Sequence, residues 1–432
     1  MNDYRKVLAV PGMPALLSVS LVARAAATAY GMTLTMYVVL GLGMSYAAAG
    51  GVVAALTAGM ALGGPLLGRM IDRRGARPVL LATAALQAVF WLGVPVLPYE
   101  VLLGAAFGAG LLVVPVPLVT RQAIAAMTAA GQRQAAFALE SVQGELSYML
   151  SPPLVILGAA QLAPEAVAWG VGAVIVAGGV GLALLDPPLH SADERDRVAA
   201  GSGGGAARSP RRREWLGRGM IAMLVTGFGA TMLLGGTDLA IVATLRDAGQ
   251  VSWGAVVVAV YGVSSVAGGL VYGALPRPLP AWLLLGLLGT ATVPAALAHG
   301  ALWLCVAGVF AGLLTAPTVS AVSDAVSRLA PAGARGEATG LQSSAMATGF
   351  ALGAPLVGAA IDASVPGGGF AAAGLAGLAA AAVAGLLAAG RSPARGRSAP
   401  AAAGTTGPAD ARGLDGPGGV GAERVCVGGG GA

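Results

Sequence analysis

The chain has 432 residues, with 25 Lys and Arg against 19 Asp and Glu for a net charge of +6; only 10% of it is charged and 56% is apolar. Soluble domains sit near 25% charged. A mean hydropathy of +0.79 therefore excludes a water-soluble globular protein, because so apolar an exterior needs a bilayer as its solvent.

Along the chain, the first ten residues are polar and the first apolar run continues past Leu40. That run is too long for a signal-peptide core, so no cleavable signal is expected. Apolar stretches long enough to cross a bilayer predict helices near 14–40, 46–69, 78–98, 100–128, 134–160 and 164–186. A second set follows near 218–245, 252–275, 280–299, 301–329, 336–361 and 367–390. The expected fold is an all-α membrane protein of twelve transmembrane helices in two pseudo-symmetric six-helix halves. Residues 1–13 are an N-terminal segment, 14–186 the first half, 187–217 a polar and flexible linker, and 218–390 the second half. The tail, 391–432, is rich in Gly, Ala, Pro and Ser and is expected to be disordered.

With the linker and both termini on one side, that side collects every Lys and Arg except Arg246, which lies opposite, and Arg24 and Arg121, which fall inside spans. The positive-inside rule assigns that side to the cytoplasm. The termini are thus expected to be cytoplasmic, in a multi-pass protein of the plasma membrane, and the positive charge needs no nucleic-acid partner. The opposite loops are too short to form an external domain.

The halves repeat. A shift of 202 residues brings Gly110 onto Gly312, Pro115 onto Pro317, Gly131 onto Gly333, Arg133 onto Arg335, Ser141 onto Ser343 and Pro153 onto Pro355, without a gap. Two parallel repeats around a cleft are the geometry of a rocking transporter.

The densest charge lies in Gly68-Arg69-Met70-Ile71-Asp72-Arg73-Arg74-Gly75-Ala76-Arg77, between two apolar runs, where it marks a membrane face and a tight turn. Gly68-x-x-x-Asp72-Arg73-x-Gly75-x-Arg77 resembles the loop signature between spans two and three of the major facilitator superfamily. The usual basic residue directly after the second glycine is replaced by Ala76, with Arg77 following. The linker, the spans and the repeat extend the likeness over about residues 7–390. The resemblance implies that Asp72, Arg73 and Arg77, with Gly68 and Gly75, latch the two halves. Physically, Asp72 can accept from the N-terminal end of the helix beginning near Gly336. The alternative is a purely topogenic turn. A decayed copy, Gly268-Gly269-Leu270-Val271-Tyr272-Gly273, is followed by Ala-Leu-Pro-Arg-Pro and has no acid.

Ionisable groups at bilayer depth cost about 3 kcal/mol or more and are usually paired or functional. Span five holds Glu140, roughly 9 Å deep, and Glu145, roughly 16 Å deep, some 140° apart around the helix. Arg121 on span four stands as far before the Ala130–Gly131 turn as Glu140 stands after it, which predicts a buried ion pair, either fixing the hairpin or gating. The equivalents in the second half are Ser323 and Gln342. Glu145 shares a stripe with Tyr148 and Pro152. Arg24 lies about 15 Å deep in span one. Because spans one and five are neighbours in the superfamily fold, the resemblance implies an Arg24–Glu145 pair at the cavity, either exchanging protons or standing as a permanent salt bridge. Asp238 in span seven is a cavity-lining or structural acid. Asp324 can reach Arg328 at i+4.

Span five also carries Ser151-Pro152-Pro153 where drug-exporting members of the superfamily have a Gly-Pro element, echoed by Gly353-Ala354-Pro355; a proline kink is the minimal physical reading. There is no phosphate-binding loop, no His-Glu-x-x-His and no glycine-flanked nucleophilic serine beside a histidine, so neither ATP drive nor an enzyme is expected. Cys305 and Cys426 offer no disulfide framework, and His190 and His299 stand apart in loops, so no metal or other cofactor is expected.

The resemblance therefore implies a monomeric secondary transporter that exports a small organic compound in exchange for protons. Glu145, Arg24, Asp238 and Tyr148 would lie at its cavity. Nutrient uptake and a transport-inactive membrane scaffold or sensor are the alternatives.

Overall fold

In the computed structural model, residues 2–129, 131–189, 212–365 and 367–389 are described. The tail beyond 391, the central linker residues 190–211, His190 and Cys426 lie outside them. Among the described residues there are helices and turns but no strand.

Twelve helices traverse the molecule. We number them α1 (Met13–Met36, extended by a wide turn to Gly41), α2 (Tyr46–Arg74), α3 (Ala76–Gly93), α4 (Tyr99–Leu111 and Val116–Met127), α5 (Arg133–Gln161) and α6 (Pro164–Leu185). The second half contributes α7 (Arg218–Asp247), α8 (Gly254–Gly273), α9 (Ala281–Thr292), α10 (Ala301–Leu329), α11 (Arg335–Asp362) and α12 (Gly368–Ala389). Ten of the spans are long and apolar enough to cross a membrane. The others are α9, which is short but continues as a tight turn to Leu297, and α5, which is 29 residues long but carries Glu140 and Glu145. The helix ends follow local chemistry. Ser45 caps α2 by accepting from the Ala48 N–H at 3.2 Å, and Pro164 opens α6, where a missing N–H costs nothing.

Three elements differ from the sequence expectation. The charged knot is not a loop: α2 runs to Arg74, and the turn shrinks to Gly75, whose φ of 82° favours glycine. Residues Asn2–Leu8 and Arg212–Trp215, expected to be irregular, are short helices, and Trp215 is buried. The predicted single span at 100–128 is broken between Leu111 and Val116, whereas α5 continues unbroken through Ser151–Pro153.

The α4 break has a physical cause. Pro115 and Pro117 remove two amide donors and crowd the carbonyls four residues back. The side chain of Gln87 on α3 takes up freed acceptors, donating to Ala109 O at 2.8 Å and Leu112 O at 3.2 Å. Tyr30 on α1 donates in turn to the Gln87 amide oxygen. In the second half Val319 replaces the second proline and Gly289 stands at the Gln87 position, and α10 stays continuous around Pro317.

The packing obeys the repeat. In the first half α1 packs on α5 and α6, α3 on α6, and α2 on α4; in the second, α7 packs on α11 and α12, α9 on α12, and α8 on α10. The halves meet where α2 lies against α11 and α5 against α8 and α10. A repeated contact also survives at the level of side chains. Arg121 bonds Glu140 in the first half, and in the second the equivalent Ser323 accepts from Gln342 at 3.0 Å.

Gln87→Leu should leave the buried Ala109 carbonyl and the part-buried Leu112 carbonyl without this donor. A loss of about 1–3 kcal/mol is expected, seen as a lowered Tm of the purified protein in detergent. An unchanged Tm would contradict this account of the α4 break.

Candidate functional site

A cavity of about 250 Å³ lies between the halves, lined by α1, α5, α7, α8, α10 and α11. All four residues expected at a cavity, Arg24, Glu145, Tyr148 and Asp238, line it. Their pairing differs from expectation.

Arg24 does not pair with Glu145. It bonds the carboxylate of Glu140, five residues nearer the basic end, and Arg121 Nε reaches the same oxygen at 3.3 Å. Glu140 is fully buried and holds two guanidinium groups, where the sequence reading gave it one. The reason is steric and electrostatic. A carboxylate without water is a stronger demand for positive charge than one at a cavity wall. Gly144 leaves the groove along which Arg24 reaches it: a Cβ there would sit 2.7 Å from Arg24 Nη2.

Glu145 is consequently left half-buried at the cavity with no ion pair among the described residues, beside Ser265 of α8. Asp238 of α7 is also half-buried at the cavity and accepts from the Tyr148 hydroxyl of α5, a bond that joins the two halves. The Tyr148 ring meets Phe350 of α11 edge-on, with centroids 6.4 Å apart. Tyr261 of α8 shares a 2.7 Å hydrogen bond with Thr315. Two carboxylates, one from each half, thus share a wall with three aromatic rings.

The basic end is closed by contacts to helix termini. Asp72 accepts from the N–H groups of Gly336 at 2.8 Å and Glu337 at 2.9 Å, at the start of α11. There the macrodipole and the unpaired N–H groups favour a negative charge. Gly68 permits this approach: a Cβ on it would lie 2.1 Å from the Gly336 carbonyl oxygen.

The arginines that reach across are not those expected. Arg73 and Arg77 are exposed and make no ion pair among the described residues. Instead Glu337 pairs with Arg69 at 2.9 Å and with Arg212 of the linker's short helix. Asp324 and Arg328 form a 2.6 Å pair within α10.

At α8, whose repeat copy of the knot has lost its acid, the polarity is reversed. Tyr4 of the N-terminal helix donates to Leu270 O, and Gln134 of α5 donates to Tyr272 O and, at 3.2 Å, to Leu275 O. Burial, with Asp3 nearby, raises the Tyr4 hydroxyl above its usual value and keeps it a donor.

Sequence reasoning missed Arg69, Arg212, Glu337, Tyr4, Gln134, Tyr261 and Ser265. Arg69 and Glu337 carried a usable signal, since each adjoins a residue already placed at the latch. Nothing in the sequence marks Tyr4.

The sequence profile of the Major Facilitator Superfamily matches residues 16–277 and 219–415. No curated protein sequence matches the chain. Solved structures share its fold. The human organic anion transporter MFSD10 (TETRAN) is 16% identical at a TM-score of 0.67, covering 88% of this chain and 99% of its own. A bacterial homologue of the iron transporter ferroportin, in its outward-facing state, is 15% identical at a TM-score of 0.69, covering 87% and 99%. The proton:xylose symporter XylE is 14% identical at a TM-score of 0.60, covering 86% and 95%. With the profile matching most of its length, and the twelve helices and inter-half cavity in place, the chain belongs to the Major Facilitator Superfamily and is a multi-pass membrane protein.

Proposed function

We propose that this protein is a proton-coupled secondary transporter that exports a small organic compound by alternating access, as a monomer in the plasma membrane with its basic face in the cytoplasm. The observation that carries the reading is Glu145, a carboxylate at the cavity whose nearest arginine is committed to Glu140. The charged groups around it are Arg24 from α1, Asp238 from α7, and Glu140 and Arg121 behind Arg24; Ser265 and Tyr261 face it from α8. Two arginines and three carboxylates are neutral together when one of Glu145 and Asp238 holds a proton. A water-poor cavity favours that neutral set. Opening to the other side hydrates the carboxylates and lets the proton leave.

Asp72, Gly68 and Gly75, with Arg69, Glu337 and Arg212, form the gate at the basic face. Arg73 and Arg77, exposed at the same turn, serve topology in this reading. Closure at the basic face is what an exporter needs while it releases substrate outward and takes up a proton.

In proteoliposomes, an imposed pH gradient should drive substrate flux in the wild type, and Glu145→Gln should abolish the drive while leaving exchange of substrate across the membrane. Flux with unchanged pH dependence in Glu145→Gln would sink the coupling. Cells expressing the protein should accumulate less of a transported compound; greater accumulation would reverse the direction to uptake.

For the gate, Asp72→Asn removes a charge–dipole contact worth about 0.5–2 kcal/mol, equivalent to a several-fold shift toward opening at the basic face. Thiol labelling of single cysteines on that face should rise accordingly. Tyr4→Phe with Gln134→Leu should act in the same direction, through α8. Unchanged labelling in both would reduce these contacts to packing.

A further inference from the structure

We propose that the cavity takes a monovalent organic cation, an ammonium carried on a one- or two-ring aromatic body, held between Glu145 of the first half and Asp238 of the second. This names the substrate class of the transport site proposed above and rests on that reading.

Three independent features of the wall point the same way. Its two accessible acids are without ion pairs among the described residues, and the single cation on the wall, Arg24, is engaged by Glu140. The hydroxyl of Ser141 is 4% exposed, lies on the cavity wall and has no hydrogen-bond partner. A buried hydroxyl in this state favours an occupant of the cavity that bonds it. The rest of the wall is soft and apolar: Tyr148, Tyr261 and Phe350 offer ring faces or edges, and Met149 and Met346 offer thioethers. Ring faces attract a cation once it is desolvated, and methionine adapts to irregular apolar shapes. A volume of about 250 Å³ falls just below the usual range of small-molecule pockets, about 300–1,000 Å³, which limits the body to one or two rings.

The charge count makes the cation specific. Arg24 and Arg121 against Glu140, Glu145 and Asp238 leave one negative charge when both cavity acids are ionised. A single proton or a single monovalent cation neutralises it. The two are therefore alternative occupants of one electrostatic vacancy, and loading the cation releases one proton. A dication would leave net charge there, and an anion would be neutralised only with both cavity acids protonated. Because Glu145 and Asp238 sit on opposite halves, a bound ammonium also ties together the two bodies that must rock apart.

Three probes with one body separate charge from shape: biphenyl-4-ylmethylammonium, biphenyl-4-methanol and biphenyl-4-carboxylate, titrated calorimetrically into the purified full-length protein in detergent. The ammonium should bind about tenfold or more tightly than the alcohol, the carboxylate should not compete, and Asp238→Asn should weaken the ammonium by a similar factor without affecting the alcohol. Ser141→Ala should weaken ammonium and alcohol together, by several-fold. Equal binding of all three probes, no binding by any, or a preference for the carboxylate overturns the cation assignment; the last would move the ligand to Arg24. None of these outcomes touches the proton-coupling reading, which is decided by the Glu145→Gln flux. If a variant loses its fold, as shown by its elution profile and Tm, the wild-type probe series alone still decides.

Discussion

A carboxylate shut away from water has to be matched by positive charge, and Glu140 is matched twice. The ionisable groups at the cavity take their places from that fact. Arg121 arrives from the facing arm of its hairpin and Arg24 from α1, across the groove that Gly144 leaves open. With Arg24 committed, Glu145 has no ion-pair partner among the described residues, and Asp238 has a tyrosine. The cavity therefore inherits negative charge that the protein itself does not cancel. On the proposed reading, that deficit is what protons and substrate compete to fill.

The same helix-terminus physics closes the basic face twice, with opposite polarity. At α11 the acceptor is Asp72 and the donors are backbone N–H groups at a helix start. At α8 the donors are Tyr4 and Gln134 and the acceptors are backbone carbonyls at a helix end. Pseudo-symmetry places α2–α11 and α5–α8 in equivalent positions. Loss of the acid from the second copy of the knot did not leave α8 without a contact. Donors from the first half approach its terminus instead. On the proposed reading, two weak contacts of this kind suit a joint that opens during each cycle.

Much of the architecture is written in the sequence because a bilayer penalises misplaced charge so heavily. The span order, the presence of a turn within the charged knot and the contact of Asp72 with the helix beginning near Gly336 all follow from where charge is absent and where it concentrates. The Arg24–Glu145 pairing shows the limit of such reasoning. Counting residues gives depth along a helix, but the choice between Glu140 and Glu145, about 140° apart, depends on helix rotation and on a missing Cβ at Gly144. The α4 break was partly legible in Pro115 and Pro117, yet Pro317 sits in a continuous helix. What separates them includes Gln87 on another span, a tertiary partner that local sequence does not display. Glu337 gathers arginines from α2 and from the linker, so its role appears only when both halves are assembled. The 202-residue repeat aligned Ser323 and Gln342 with Arg121 and Glu140 and so confined the ion pair to the first half, but that the aligned residues are themselves bonded is visible only in the structure.

The central claim is that Glu145 carries the proton that substrate displaces. Infrared difference spectroscopy of the purified protein, with and without a transported compound, reads this directly from the stretch of a protonated carboxyl group. The account predicts that substrate binding removes such a band from the wild type and that Glu145→Gln lacks the change while Asp72→Asn retains it. Persistence of the same band loss in Glu145→Gln, or its absence from the wild type, would contradict it.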